Sequence, residues 1–281
     1  LGVHSPPLYI CLNFGTSKDS RRRSEKWNIW GAQVLEILLH NGADPKELKI
    51  ALEANRDVNI LKMLVDHGAD LSRGTDLLSV TLCPNDTDPE ALEFLLESGV
   101  DPNGTDSTRP LFLAAGQYKC QRSVEILVKH GSDPHASMKN GQSSVLHEVC
   151  EKGGVVGPML AMGIDINTLD AQGRTPLIRA CMCREDWRTK VAELLQAGAR
   201  LDLVDDANST ALHHAAHVGN ERAVKELLNH GVDISPRNSA GGTPLCNVLE
   251  ELAKWCGVSS PKYFAIIKAL LDAGASPLEV H

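Results

Sequence analysis

STALHHAAHVGNERAVKELLNHGVDI, residues 209–234, holds two short phrases whose recurrence decides the fold. In the first, Leu212, Ala215 and Ala216 give a short helix with a narrow apolar face. In the second, Val224, Leu227 and Leu228 fall at i, i+3 and i+4, the spacing of an amphipathic helix. Two helices this short cannot bury their own apolar surface. They need a similar pair stacked before and after them, which makes stability roughly a nearest-neighbour sum.

Such pairs are present. The second phrase returns as LLHNGADP from Leu38, LVDHGADL from Leu64, LLESGVDP from Leu95 and LVKHGSDP from Leu127. It continues as MLAMGIDI from Met159, LLQAGARL from Leu194 and LLDAGASP from Leu270. Its glycines stand at 42, 68, 99, 131, 163, 198, 231 and 274. The first phrase returns as SPPLYICL from Ser5, TRPLFLAA from Thr108, SSVLHEVC from Ser143, RTPLIRAC from Arg174 and GTPLCNVL from Gly242. Looser versions, ELKIAL from Glu47 and DLLSVTL from Asp76, stand in the second and third repeats. The glycine after each second helix supplies the left-handed residue that ends it. His40, His67, His130 and His230 sit in that last turn, where a donor suits the exposed carbonyls.

Both phrases together, at this period, resemble the ankyrin repeat, with its TPLH-x-A entry and Gly-Ala-Asp exit. The resemblance covers essentially the whole chain. It implies an all-α solenoid of paired antiparallel helices with β-hairpin or loop fingers, in about eight repeats. Their approximate limits are 1–44, 45–70, 71–101, 102–133, 134–165, 166–201, 202–233 and 234–276. Two insertions interrupt the array, a basic one at 15–28 (GTSKDSRRRSEKWN) and a second at 254–263 (KWCGVSSPKY). In DDANSTAL from Asp205, Asn208 replaces the turn glycine, and Asn tolerates the left-handed region best after Gly. Leu8, Tyr9, Ile10, Cys11, Leu12 and Phe14 at one end, and Phe264 to Leu271 at the other, leave little polar outer face. With no initiator Met, this pattern is expected of a segment of a longer polypeptide; the alternative is that each insertion caps its own end.

Composition agrees. Apolar residues make up 42% and charged residues 23% of 281, but Phe, Tyr and Trp number only 4, 3 and 4, so Leu, Ala, Val and Ile must build the core. A net charge of −8 argues against nucleic-acid binding over the whole chain and against adhesion to anionic membranes. No apolar run approaches the ~18 residues of a membrane span, so no membrane insertion is expected. The eight cysteines are scattered rather than framed, which points to reduced thiols in an intracellular, cytoplasmic or nuclear, protein. Cys11, Cys150 and Cys181 align with the paired small residues and belong to the core, whereas Cys183 takes a variable position.

The three histidines of residues 210–217 invite a metal reading. The resemblance implies that His213, like His147, turns back to hydrogen-bond the loop and Thr210, and that His217 faces a concave groove. His214 has no assigned role. A metal or ligand sensor on His214 and His217 is the minor alternative; no metal and no cofactor are expected. No Gly-x-Ser-x-Gly, Gly-rich phosphate loop or His-Glu-x-x-His is present, and no catalysis is expected. The paired acids Glu250/Glu251, Asp205/Asp206 and Glu185/Asp186 are expected on the solvated surface or fingertips.

The leading function is therefore a protein–protein interaction scaffold, or the recognition segment of a larger protein. The alternative is a regulatory region acting by intramolecular packing on a linked enzyme, receptor or channel. Carried over by the resemblance, the groove positions are Gly116/Gln117, Glu151/Lys152, Met182/Cys183, His217/Val218 and Glu250/Glu251. The fingertips include Lys139, Asn140, Gln172, Arg174, Asp206 and Ala207. Aromatic residues and Arg dominate interface hot spots, which singles out Tyr118, Arg174, Met182, Arg184 and Trp187. Gln117, Glu151, Lys152, Asp206 and His217 complete the expected partner-binding set. The basic insertion reads as a solvated loop, a nuclear-import or acidic-partner contact, or a phosphorylation site at Ser24.

Overall fold

In a computed structural model, the described residues are 33–34, 36–42, 58–69, 71, 78–79, 81–82, 89–104, 109–117, 120–136, 143–152, 154, 156–183, 190–254 and 261–276. Twelve helices have both ends described. They are α1 (Val58–Asp66), α2 (Pro89–Glu97), α3 (Pro110–Ala115), α4 (Gln121–Lys129), α5 (Val145–Lys152) and α6 (Val156–Ala161). The rest are α7 (Pro176–Cys181), α8 (Val191–Gln196), α9 (Ala211–Val218), α10 (Glu221–Asn229), α11 (Pro244–Lys254) and α12 (Pro261–Asp272). Among the described residues there is no strand; an antiparallel bridge joins Val204 to Thr210 at the base of a finger. The fold is all-α.

The chain divides into two compact units, residues 1–114 with 122–133, and residues 115–121 with 134–281. In the first, α1 packs on α2 around Leu61, Leu64, Leu92 and Leu95, all fully buried. Lys62 lies over the Phe94 ring at 5.7 Å, and Lys129 pairs with Glu93 at 2.9 Å.

In the second unit the layers are explicit. The first helices α5, α7, α9 and α11 pack in succession, as do the second helices α6, α8, α10 and α12. Each first helix also packs on its own second helix. Close approach needs small side chains at the seam, and Ala180, Cys181, Ala215 and Ala216 are there, fully buried. Leu177, Leu194, Leu212 and Leu227 fill the space between layers, each worth about 1.5–3 kcal/mol of burial.

Local signals set where each helix begins and ends. Thr175 caps α7, accepting the Ile178 N–H at 3.2 Å, with Pro176 in the first turn where a missing N–H costs nothing. Thr210 caps α9, and Asn220 caps α10 by accepting the Ala223 N–H at 3.0 Å. At the exits the eight phrase glycines all have φ between 74° and 100°, and Asn208 has φ 54°. His40, His67 and His230 bring Nδ1 within 2.8–2.9 Å of the carbonyl four residues earlier. The second insertion is partly helical, because Lys254 ends α11 and Pro261 to Tyr263 begin α12.

Candidate functional site

In the second unit the first helices are buried over most of their length; α5, α9 and α11 reach solvent towards their C-terminal ends, at Glu151 and Lys152, His217, and Glu250, Ala253 and Lys254, whereas α7 has no exposed residue. The positions expected to meet a partner lie at these ends and in the segment after α7. On α5, Glu151 pairs with Arg179 of the next layer, and Lys152 pairs with Glu148 at 2.6 Å. After α7, Met182 and Cys183 are half-buried, and the Cys183 thiol donates to the Glu151 carbonyl at 3.3 Å. On α9, the His217 side chain is 48% exposed and its Nδ1 lies 3.5 Å from Glu251 Oε1. Glu251 also takes Lys254 Nζ at 2.6 Å. Tyr263, at the start of α12, donates its hydroxyl to the His217 carbonyl at 3.3 Å and covers Gly219. Gln117 is half-buried and accepts the Cys120 thiol at 3.1 Å. The calls on Tyr118, Arg184 and Trp187, and on Lys139, Asn140, Glu185, Asp186, Cys11 and the 15–28 insertion with Ser24, lie outside the described residues.

The fingers differ from expectation in two ways. Arg174 is turned inward: its side chain is 17% exposed, donating from Nε to Asp170 Oδ2 at 2.8 Å and from Nη2 to Gln172. Asp205 is buried rather than solvated. Its carboxylate accepts the Ala207 and Ser209 N–H groups at 2.9 and 2.8 Å, and the His214 Nε2–H at 2.7 Å. His214 therefore does have a task, which is to clamp the finger onto α9. Asp206 stands at the fingertip with its backbone N–H on the Gln172 carbonyl at 3.1 Å, and Ser239 repeats this on Ala207 at 2.9 Å.

His147 and His213 connect layers. Each Nδ1 accepts a backbone N–H at 3.2 Å, from Ser144 and Thr210 respectively. Each Nε2–H then donates to the next finger, at Arg174 O (2.9 Å) and Gly242 O (3.2 Å). Burial holds both imidazoles below the usual histidine range, although the carbonyl partners pull the other way. Rings so engaged have no lone pair left for a metal, and no group of three metal-ligating side chains occurs among the described residues. Cys150 and Cys181 are fully buried, and desolvation raises both thiols well above their ordinary range.

Two exposed apolar side chains went unnoticed in the sequence. Leu169 is 57% and Val204 40% exposed, each immediately before the buried finger acid, Asp170 or Asp205. The available signal was an apolar residue recurring at one finger position in consecutive repeats.

A family model described as "Ankyrin repeats (3 copies)" matches residues 111–205 and 187–279. The chain is 33% identical over 177 residues to mouse "Ankyrin repeat and SOCS box protein 16", covering 62% of this chain and 37% of that one. It is 31% identical over 159 residues to "Ankyrin repeat domain-containing protein SAT10" of Stachybotrys chartarum, covering 56% of this chain and 8% of that one. The chain thus spans well under half the length of these two relatives. The crystal structure of the human ASB11 ankyrin repeat domain superposes with a TM-score of 0.64 at 24% identity, covering 82% of this chain and 98% of that one. With the matching fold and the family model extending over more than half of its length, this chain belongs to the ankyrin-repeat family.

Proposed function

We propose that the chain is a non-catalytic recognition module that holds a protein partner against its fingers and the adjoining C-terminal ends of α5, α7, α9 and α11. Ankyrin repeats are in general protein–protein interaction modules, and that is the level at which the family speaks. The observation that carries the finer reading is the pair Leu169 and Val204, exposed on consecutive fingers whose tips are hydrogen-bonded to each other. An apolar anchor beside a mixed polar surface is the composition of an interface core and rim. Met182 and the exposed edge of His217 extend that surface along the first helices. The inward-turned Arg174 and the inter-layer pair Glu151–Arg179 act here as supports, not as anchors. Buried thiols suit a reducing intracellular setting.

A second reading, in which the repeats are the recognition segment of a longer protein, is favoured by the small share of the relatives' length that the chain covers. Both readings put the same face to use. Affinity capture followed by mass spectrometry, with Leu169→Asp/Val204→Asp as control, tests that face. Partners retained by the wild type should be lost about tenfold or more, ~1.4 kcal/mol, in the double variant. Identical capture by the two proteins would defeat the placement.

A further inference from the structure

His40 and His67 stand at the ends of the second helices of the first two repeats, within the first unit. His40 closes the helical turns of residues 36–40, His67 directly follows α1, and both are exposed. Nδ1 of His40 lies 2.9 Å from the Glu36 carbonyl oxygen, and Nδ1 of His67 lies 2.8 Å from that of Met63. A carbonyl oxygen only accepts, so in the neutral ring each Nδ1 carries the proton. Each Nε2 therefore keeps its lone pair, and neither has a hydrogen-bond partner among the described residues. His147 and His213 differ on this point, because both of their ring nitrogens are engaged.

An imidazole whose far N–H is held by a carbonyl is the form in which histidine ligates a metal. That bond fixes the tautomer and the ring orientation, and it raises the basicity of the other nitrogen. Two such rings meet here across neighbouring repeats, with centroids 5.0 Å apart and planes at 68°. A tetrahedral ion with nitrogen ligands at about 2.0–2.1 Å sets two imidazole centroids about 5 Å apart, close to that separation. Both rings also lie at helix C-terminal ends, where the partial negative charge of the last carbonyls favours a cation. Edge-to-face packing gives the same separation without an ion, and the two accounts differ in what the Nε2 atoms bind. We propose that His40 and His67 form a two-histidine site for a divalent ion that favours imidazole, such as Zn2+ or Ni2+. Water completes its coordination, since no third His, Cys, Asp or Glu is grouped with them among the described residues. The bound ion ties the first two layers together at the ends of their second helices.

Calorimetric titration of the full chain with Ni2+ up to about 1 mM, under a phosphine reductant that keeps the thiols reduced, tests this. The wild type should bind an ion whose affinity falls about tenfold or more in His40→Gln and equally in His67→Gln. His230→Gln is the control, because His230 is exposed and has the same Nδ1 contact to a carbonyl at 2.9 Å, but no ring beside it. It should bind as the wild type does. All three variants should keep the wild-type circular dichroism spectrum, since each side chain is at the surface. In NMR spectra, paramagnetic Ni2+ should broaden the His40 and His67 ring signals together and before those of His230. No binding below about 1 mM overturns the proposal and leaves the pair as a ring contact alone. Binding that survives both substitutions, or that is lost in only one of them, overturns it equally.

Discussion

His213 illustrates how much a single side chain does in this architecture. Its ring is fully buried, accepts from Thr210 behind it and donates to Gly242 of the following finger. Replacing it by Ala removes two hydrogen bonds and strands the Thr210 N–H and the Gly242 carbonyl. The expected loss is about 2–6 kcal/mol, from ~1–3 for each of the two groups left unsatisfied, read as a lower urea midpoint. Gly154 is constrained differently. A Cβ at this position would sit 1.8 Å from the Ala115 carbonyl oxygen, a backbone atom that cannot swing aside. Gly154→Ala must therefore push the α5–α6 turn away, at an expected cost of ~1–3 kcal/mol. If the Ala protein melted with the wild type, the close approach of that turn to Ala115 would be wrong.

At the scale of elements, the two histidine latches make the stacking of fingers on first helices acid-sensitive. Burial lowers the folded-state pKa of His147 and His213, so the unfolded chain takes up protons first as pH falls. Stability should thus be full above about pH 6.5 and decline below it, by at most ~1.4 kcal/mol per pH unit for each histidine, until the folded rings themselves protonate. A thermal melting series from pH 7.5 to 5 reads this; a flat midpoint would mean the latches do not control it. Asp170 acts in a separate window. Burial alone would raise its carboxyl, but the Arg174 and Gln172 N–H groups and the Arg174 guanidinium more than offset that, so its contribution fades only below the ordinary aspartate range. The elements were legible in sequence where residue type and local geometry are tied together. Exit glycines and the turn residue Asn208 name their own backbone state, and paired small residues mark the close helix seam. The inward turn of Arg174 and the burial of Asp205 are not legible in residue type, because each rests on a neighbour, Asp170 in one case and His214 nine residues on in the other. The exposed Leu169 and Val204 escaped for the converse reason: hydrophobicity alone does not say which way a finger residue faces.

For the molecule as a whole, the decisive property is that each layer of the second unit is held mainly by the one before and the one after. Layer seven, α9 with α10, packs against α7 and α8 on one side and α11 and α12 on the other. Leu212 is fully buried within it. Truncation to Ala there should cost about 2–5 kcal/mol, most of it from the cavity that rigid neighbours cannot close. In a globular core that loss would be shared by every element. In a stack with nearest-neighbour coupling it should stay local. Hydrogen exchange of Leu212→Ala should therefore quicken the amides of α9, α10, α7 and α11, while α5 and α6, one layer further away, keep most of their protection. Uniform acceleration from α5 to α12 would show instead that the unit unfolds as a single cooperative block. The latches at His147 and His213 would then couple the layers more tightly than their packing does.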